Sequence, residues 1–314
     1  MARTGSHVLY GLDAVVRPPA RPVATVGVFD GVHIAHQRLV RTTIRLARRL
    51  RGTSVVITFD PDPQTVLDPA HPHPTLMPLA VRLAHLRGLG VDRVWVIPFT
   101  RRFARMTAQQ FIDGVLCRRL RAAALVVGEG FVFGRNRRGN MDVLRAAGSR
   151  HGMRVIAVPK VRRHRAPVSS SRVRSLIAAG RLSAARDLLG RPPELYGVVV
   201  RGAGRGRQLG FPTANVDVRS HALPPRGVYA VCLRRLDRPS STRRGVMNLG
   251  VRPTFGPGPL VCEVHLPGFS GTLRGHAVAI ALMARLRGER RFPSLQALQR
   301  QIRHDVKRAA RSCR

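Results

Sequence analysis

Lysine is almost missing from this chain. Lys160 and Lys307 are the only two among 55 basic residues, which stand against 16 acidic ones for a net charge of +39. The remaining 53 basic residues (55 minus 2) are arginine, spread over the whole length. Arginine without lysine, beside abundant Ala, Gly and Pro, points to a GC-rich coding bias more than to a selected nucleic-acid surface. Aromatic residues are also scarce, at 5%, which leaves little for stacking on bases. A field this positive attracts polyanions without specificity at low salt. No specific nucleic-acid partner is expected, while anionic small molecules are drawn in by the same field. The four cysteines, Cys117, Cys232, Cys262 and Cys313, are scattered and lack C-x-x-C spacing. That argues against a zinc site or a disulfide framework and for a reducing cytoplasm. No stretch approaches the roughly 20 apolar residues of a membrane span. No apolar signal core follows Met1 to His7, so neither a membrane nor a secretion signal is expected.

What is present is enough for two domains. The 314 residues can bury two cores, and a hydrophobic content of 44% is ordinary. Arg191-Pro192-Pro193 is the natural boundary, giving domains 1–190 and 191–314. In the first, Val23 to Phe29 reads as a buried strand and His36 to Leu50 as an amphipathic helix. Strands are expected over Thr53 to Phe59, Val91 to Phe99, Ala124 to Gly128 and Val155 to Val158. Helices are expected over Pro78 to Leu89 and, capped by Thr107, over Thr107 to Leu120. Two further helices run from Leu176 to Gly190. The first twenty residues read as an irregular lead-in. The fold expected is a Rossmann-like α/β domain. In the second half, β-rich runs separated by Gly and Pro predict a barrel or sandwich. They are Tyr196 to Val200, Gly227 to Leu233, Gly245 to Leu249, Leu260 to Leu266 and Ala277 to Leu286. Ser294 to Ala310 closes the chain as a helix with Leu295, Leu298, Ile302, Val306 and Ala309 on one face.

Three constellations carry chemistry. Gly27, Phe29, Asp30 and Gly31 make a turn between strand and helix, and His33 and His36 stand where the helix begins. A helix N-terminus favours anions. Two imidazoles three residues apart can donate hydrogen bonds to phosphate oxygens as charge develops during phosphoryl or nucleotidyl transfer. Strand, Gly turn and paired His together describe a nucleotide site. Second, Val168 to Arg174 places Ser170 and Ser171 before a helix with Arg172 and Arg174. This run either caps a basic helix or clamps phosphate. Third, Gly202, Gly204, Arg205, Gly206, Gly210 and Pro212 form a Gly-rich loop ahead of Thr213 and Asn215. Such a loop wraps phosphates or is a flexible turn. Thr213 and Asn215 supply neutral oxygens suited to Mg²⁺ carried in with ATP. His71-Pro72-His73-Pro74 has metal-ligand residue types, but its prolines favour a solvated loop.

Gly27-Val-Phe-Asp-Gly-Val-His-Ile-Ala-His36 resembles the signature of the bacterial bifunctional riboflavin kinase/FMN adenylyltransferase family, usually Gly-x-Phe-Asp-Gly-x-His-x-Gly-His. Gly202 to Asn215 resembles that family's riboflavin kinase signature, and Val168 to Arg174 resembles its Ser-Ser-Thr-x-Ile-Arg. The resemblance implies a nucleotidyltransferase domain followed by a six-stranded riboflavin kinase barrel with a C-terminal helix. It implies two reactions: riboflavin and ATP give FMN, then FMN and ATP give FAD and pyrophosphate. It also implies Glu263, in Cys262-Glu-Val-His-Leu266, as the base for the ribityl hydroxyl. A buried Glu paired with an arginine is the other reading of that residue. Phe59, Phe131 and Phe133 are candidates for the isoalloxazine ring; on residue type, Phe131 and Phe133 equally suit the core. Ala35, Asp62, Gly130 and Arg274 stand where the family usually has Gly, His, Asp and Tyr. The alternatives are therefore a riboflavin kinase with a weak or inactive adenylyltransferase domain, or a flavin-sensing or polyanion-binding protein on this fold.

Overall fold

A computed structural model describes residues 7–71, 74–202, 204–218, 222–251 and 260–312. The chain forms two compact units. One comprises residues 1–73 with 78–169, the other residues 74–77 with 170–314.

In the first unit six strands pair in parallel. They are β1 (His7–Tyr10), β2 (Val23–Val26), β3 (Ser54–Asp60), β4 (Arg93–Pro98), β5 (Ala124–Gly128) and β6 (Arg154–Val158), in the order β1-β4-β3-β2-β5-β6. The helices are α1 (Ile34–Arg49), α2 (Pro63–Leu67), α3 (Leu79–Gly88), α4 (Arg101–Ala104), α5 (Ala108–Phe111) and α6 (Met141–His151). α5 continues as a π-helix over Ile112–Arg119. β3 and β4 build to one side of β2, β5 and β6 to the other, so the order reverses at β2. Ligands of open parallel sheets bind outside the carboxyl ends of the strands at such a switch point. A hairpin of β7 (Arg162–Arg163) and β8 (Ala166–Pro167) follows.

The second unit opens with α7 (Ser170–Ala178) and α8 (Leu182–Leu189), which ends at Gly190 in the left-handed region. Then come β9 (Glu194–Val200), α9 (Arg205–Gln208), β10 (Thr213–Asp217), β11 (Gly227–Arg235), β12 (Thr242–Gly250), β13 (Val261–His265), β14 (Ala277–Arg287) and α10 (Leu295–Ser312). The six strands close into an antiparallel barrel in the order β10-β13-β12-β11-β14-β9. Closure leaves no edge strand. Alternate side chains decide what lies inside. On β13, Cys262 and Val264 enter the core, and Glu263 and His265 face the other way.

Several expectations shift. The lead-in contains β1, whose four residues gain their structure from pairing with β4. The strand from Val23 ends at Val26, because Gly27 to Val32 turn sharply. α6, capped by the Asn140 side chain on Asp142 N and Val143 N, was not foreseen. β10, directly after the Gly loop, is likewise absent from the expected strands. Thr107 caps α5 as expected, in a reciprocal box with Gln110. Leu295 is 58% exposed and leaves the apolar face of α10. His71 is exposed beside Asp68, while Pro72, His73 and Cys313 lie outside the described residues.

Candidate active sites

The first site is built at the end of β2. Gly27 N bonds to Ile57 O at 3.1 Å, and the chain then turns through positive φ at Phe29 (57°), Gly31 (80°) and Val32 (39°). A β-branched residue at positive φ is strained, and such strain persists only where the surroundings enforce it. Phe29, Asp30, Gly31 and Val32 are all buried. His33 caps α1: its Nδ1 accepts the His36 backbone N–H at 3.3 Å. That bond leaves the proton of neutral His33 on Nε2, a donor. The His33 and His36 rings stack at 3.6 Å, and Phe29 meets His36 edge-on at 5.1 Å. Burial, His33 and Arg82, in that order, hold His36 well below the usual imidazole pKa. The two imidazoles thus lie stacked at the N-terminus of α1, with His36 held neutral.

Phe59, next to last in β3, has its ring between Phe99 and Phe103, at 5.6 and 5.8 Å. From there, ring contacts run through Phe103, Phe111 and Phe133 to Phe131, which stacks on Phe133 at 5.4 Å. Phe59 is core, and Phe131 and Phe133 are half-buried at the other end of the same aromatic ladder.

Ser170, Ser171 and Arg174 open α7 in the second unit. Arg174 Nε donates to Pro74 O at 3.0 Å, and Ser171 O accepts the Ser175 hydroxyl at 3.1 Å.

In the barrel unit, two cavities meet at Thr213. One, of about 190 Å³, lies between the outer face of β10, β13 and β12 and helix α10, and is lined by Gly206, Thr213, Asn248, Glu263, His265 and Ile302 among others. The other, of about 300 Å³, is lined by Gly202, Gly204, Pro212, Thr213, Asn215 and Arg274, with Arg201 and Arg207 adding positive charge. Asn215 and Asn248 flank Glu263 in register on β10 and β12. Gly210 turns at φ +81° and closes the loop. Arg205 is described by its backbone only. The Gly loop needs glycine for room: a Cβ on Gly202 would overlap the Asn215 carboxamide, and one on Gly206 would overlap Phe211 O. Gly202→Ala is expected to push the Asn215 carboxamide aside and to lower the melting temperature of the barrel, read by thermal unfolding.

Residues 17–172 match the FAD synthetase family and residues 189–313 match the riboflavin kinase family. A bifunctional riboflavin kinase/FMN adenylyltransferase from Pseudomonas fluorescens is 39% identical over 93% of each chain. One of the same name from Bacillus subtilis is 33% identical, over 97% of this chain and 96% of its own.

The chain belongs to the bifunctional riboflavin kinase/FMN adenylyltransferase family.

A solved structure named as a macrolide-efflux protein from Streptococcus pneumoniae is also similar. It has a TM-score of 0.82 and 30% identity, covering 94% of this chain and 95% of its own. No helix among the described residues is long and apolar enough to cross a membrane.

The positions that depart from the family pattern have local explanations. Asp62 caps α2, accepting Gln64 N at 2.9 Å. Gly130 adopts an ordinary φ beside the Lys160 side chain. Ala35 sits half-buried in the first turn of α1. Arg274 lines the Gly-loop cavity.

Two residues beside these sites were not singled out by the sequence. Asn248 lies inside an apolar strand, and only its register opposite Glu263 marks it. Arg82, on α3, is 5% exposed and donates Nη1 to Val28 O and Nη2 to Phe59 O, both at 2.8 Å. Nothing local distinguishes it among 53 arginines.

Proposed function

We propose a division of labour in an enzyme that makes FMN from riboflavin and FAD from FMN, with the functional boundary at 190/191. The kinase reaction belongs to the barrel. Riboflavin occupies the cavity that Glu263 lines, and ATP the cavity of the Gly loop. Glu263 takes the proton from the ribityl hydroxyl as its oxygen attacks the γ-phosphorus and ADP leaves. Gly202, Gly204, Gly206 and Gly210, with Arg205 and Pro212, hold the phosphates. The hydroxyl of Thr213 and the carboxamide of Asn215 stand two residues apart on one strand, as neutral oxygens suited to Mg²⁺ that arrives on the nucleotide. Such an ion would neutralise phosphate charge. The observation that carries this reading is Thr213 lining both cavities, so that acid, nucleotide loop and hydroxyl donor converge on one strand end.

Adenylyl transfer belongs to the first unit. Its nucleophile, the FMN phosphate, is already an anion and needs no base. Donors to the ATP α-phosphate are what it needs, and His33 and His36 supply them on the turn of Gly27, Phe29, Asp30 and Gly31. Phe131 and Phe133 offer a stacking face to the isoalloxazine, and Phe59 anchors the ladder beneath them.

Chromatography of products tests both halves. Riboflavin, ATP and Mg²⁺ should give FMN and FAD, and FMN, ATP and Mg²⁺ should give FAD. FMN without FAD in either tube would leave a kinase with an inactive first unit. No product in either tube would sink the reading.

A further inference from the structure

We infer that Arg82 is a positioning residue for adenylyl transfer, fixing the strained turn that presents His33 and His36. The inference rests on the proposed role of that turn. Arg82 reaches from α3 to the carboxyl ends of β2 and β3. It bridges Val28 O, inside the turn, and Phe59 O, at the end of the neighbouring strand. Val28 O also accepts the Thr58 hydroxyl at 3.0 Å. Within the turn, Val32 N bonds to Phe29 O and Gln37 Nε2 to Val32 O, both at 3.0 Å. A left-handed Phe29 and Val32 need an external hold, and the guanidinium supplies one with two parallel donors.

A plain structural bridge would not need a charge here. Burying a guanidinium is costly unless charge and hydrogen bonding compensate. Asp30 from the turn, Asp60 from the end of β3 and Asp62 from the cap of α2 offset the burial that lowers the Arg82 pKa. Arg82 Nε is buried with no partner among the described residues, and so is His36 Nδ1. The charged groups acting on His36 are His33 from the cap and Arg82 from α3. Arg82 thus does two things at one place. It locks the backbone of the turn, and its positive charge disfavours a proton on His36.

The test compares Arg82→Met, which keeps the stem and loses charge and both bonds, with Arg82→Lys, which keeps charge and one donor. FMN formation from riboflavin in the same protein controls for folding. Expected for Arg82→Met is a fall of about 100-fold in kcat for FAD formation, with KM for ATP moving less and kinase activity unchanged. The acid limb of the FAD-forming rate should shift to higher pH in Arg82→Met but not in Arg82→Lys, because only Met removes the repulsion that disfavours protonated His36. Equal losses in both variants with unshifted pH profiles would overturn the inference, leaving a structural bridge. NMR titration of His36 reads the same coupling without turnover. If the wild type makes no FAD yet Arg82→Met raises the titration point of His36, the coupling of Arg82 to the imidazoles stands and the adenylylation reading falls. An unmoved titration overturns the inference whatever the activity.

Discussion

Replacing Glu263 by Gln is expected to lower FMN formation from riboflavin by about 10²–10⁴-fold, while FAD still forms from supplied FMN at the wild-type rate. The size follows from the nucleophile. A ribityl hydroxyl is a neutral alcohol and must shed its proton as it attacks phosphorus. Glu263 is an acid that lines the cavity where Thr213 meets the Gly loop, and β13 alternation turns it away from the barrel core. Gln keeps the shape and the hydrogen bonding of one oxygen but cannot accept the proton. Riboflavin binding, followed by flavin fluorescence, should stay within a few-fold, because the cavity walls are unchanged. Equal loss of both reactions, or an unchanged kinase rate, would remove Glu263 from the role of base.

Replacing His33 by Asn should do the reverse. FAD formation from FMN is expected to fall by about 10²–10³-fold, with FMN formation from riboflavin intact. Asn is a good N-cap, so its side-chain oxygen can take over the bond from His36 N and α1 should stay folded. What is lost is the Nε2 donor and the stacking partner of His36. A steady-state assay with FMN and ATP checks this, with circular dichroism to confirm the helix. The companion residue gives a pH signature. His36 is held below its reference value of 6.5, first by burial and then by His33 and Arg82. A depressed folded pKa means that the unfolded chain takes up this proton first as the solution is acidified. Stability of the first unit should therefore decline as pH falls below about 6.5. Denaturant unfolding of His36→Asn should show a shallower decline over that window. An identical slope would place the titration elsewhere.

The chemistry was legible because it is written in short runs. The Gly27 to His36 run and the Gly202 to Asn215 run each hold their functional residues within a dozen or so positions, where local turns alone bring them together. Apolar periodicity likewise located α1, β3, β5 and α10 to within a few residues, since each buries one face or both. β1 was not legible, because four residues with an exposed Tyr10 gain their order only from pairing with β4. The surroundings of Phe59 were not legible either, because the rings of Phe99 and Phe103 reach it only through tertiary packing.

By itself, the sequence determined an α/β first half and a β-rich second half, and it placed the Gly27 to His36 turn with its paired imidazoles and the Gly202 to Gly210 loop. Local backbone geometry and residue chemistry suffice for these. Tertiary structure alone decided which of many arginines matters, since Arg82 acquires its role by reaching two strand ends from α3, 54 and 23 residues away in sequence. It also decided that Glu263 faces a cavity rather than the barrel core. Strand alternation permits either face, and only barrel closure, with α10 against its outer surface, selects one.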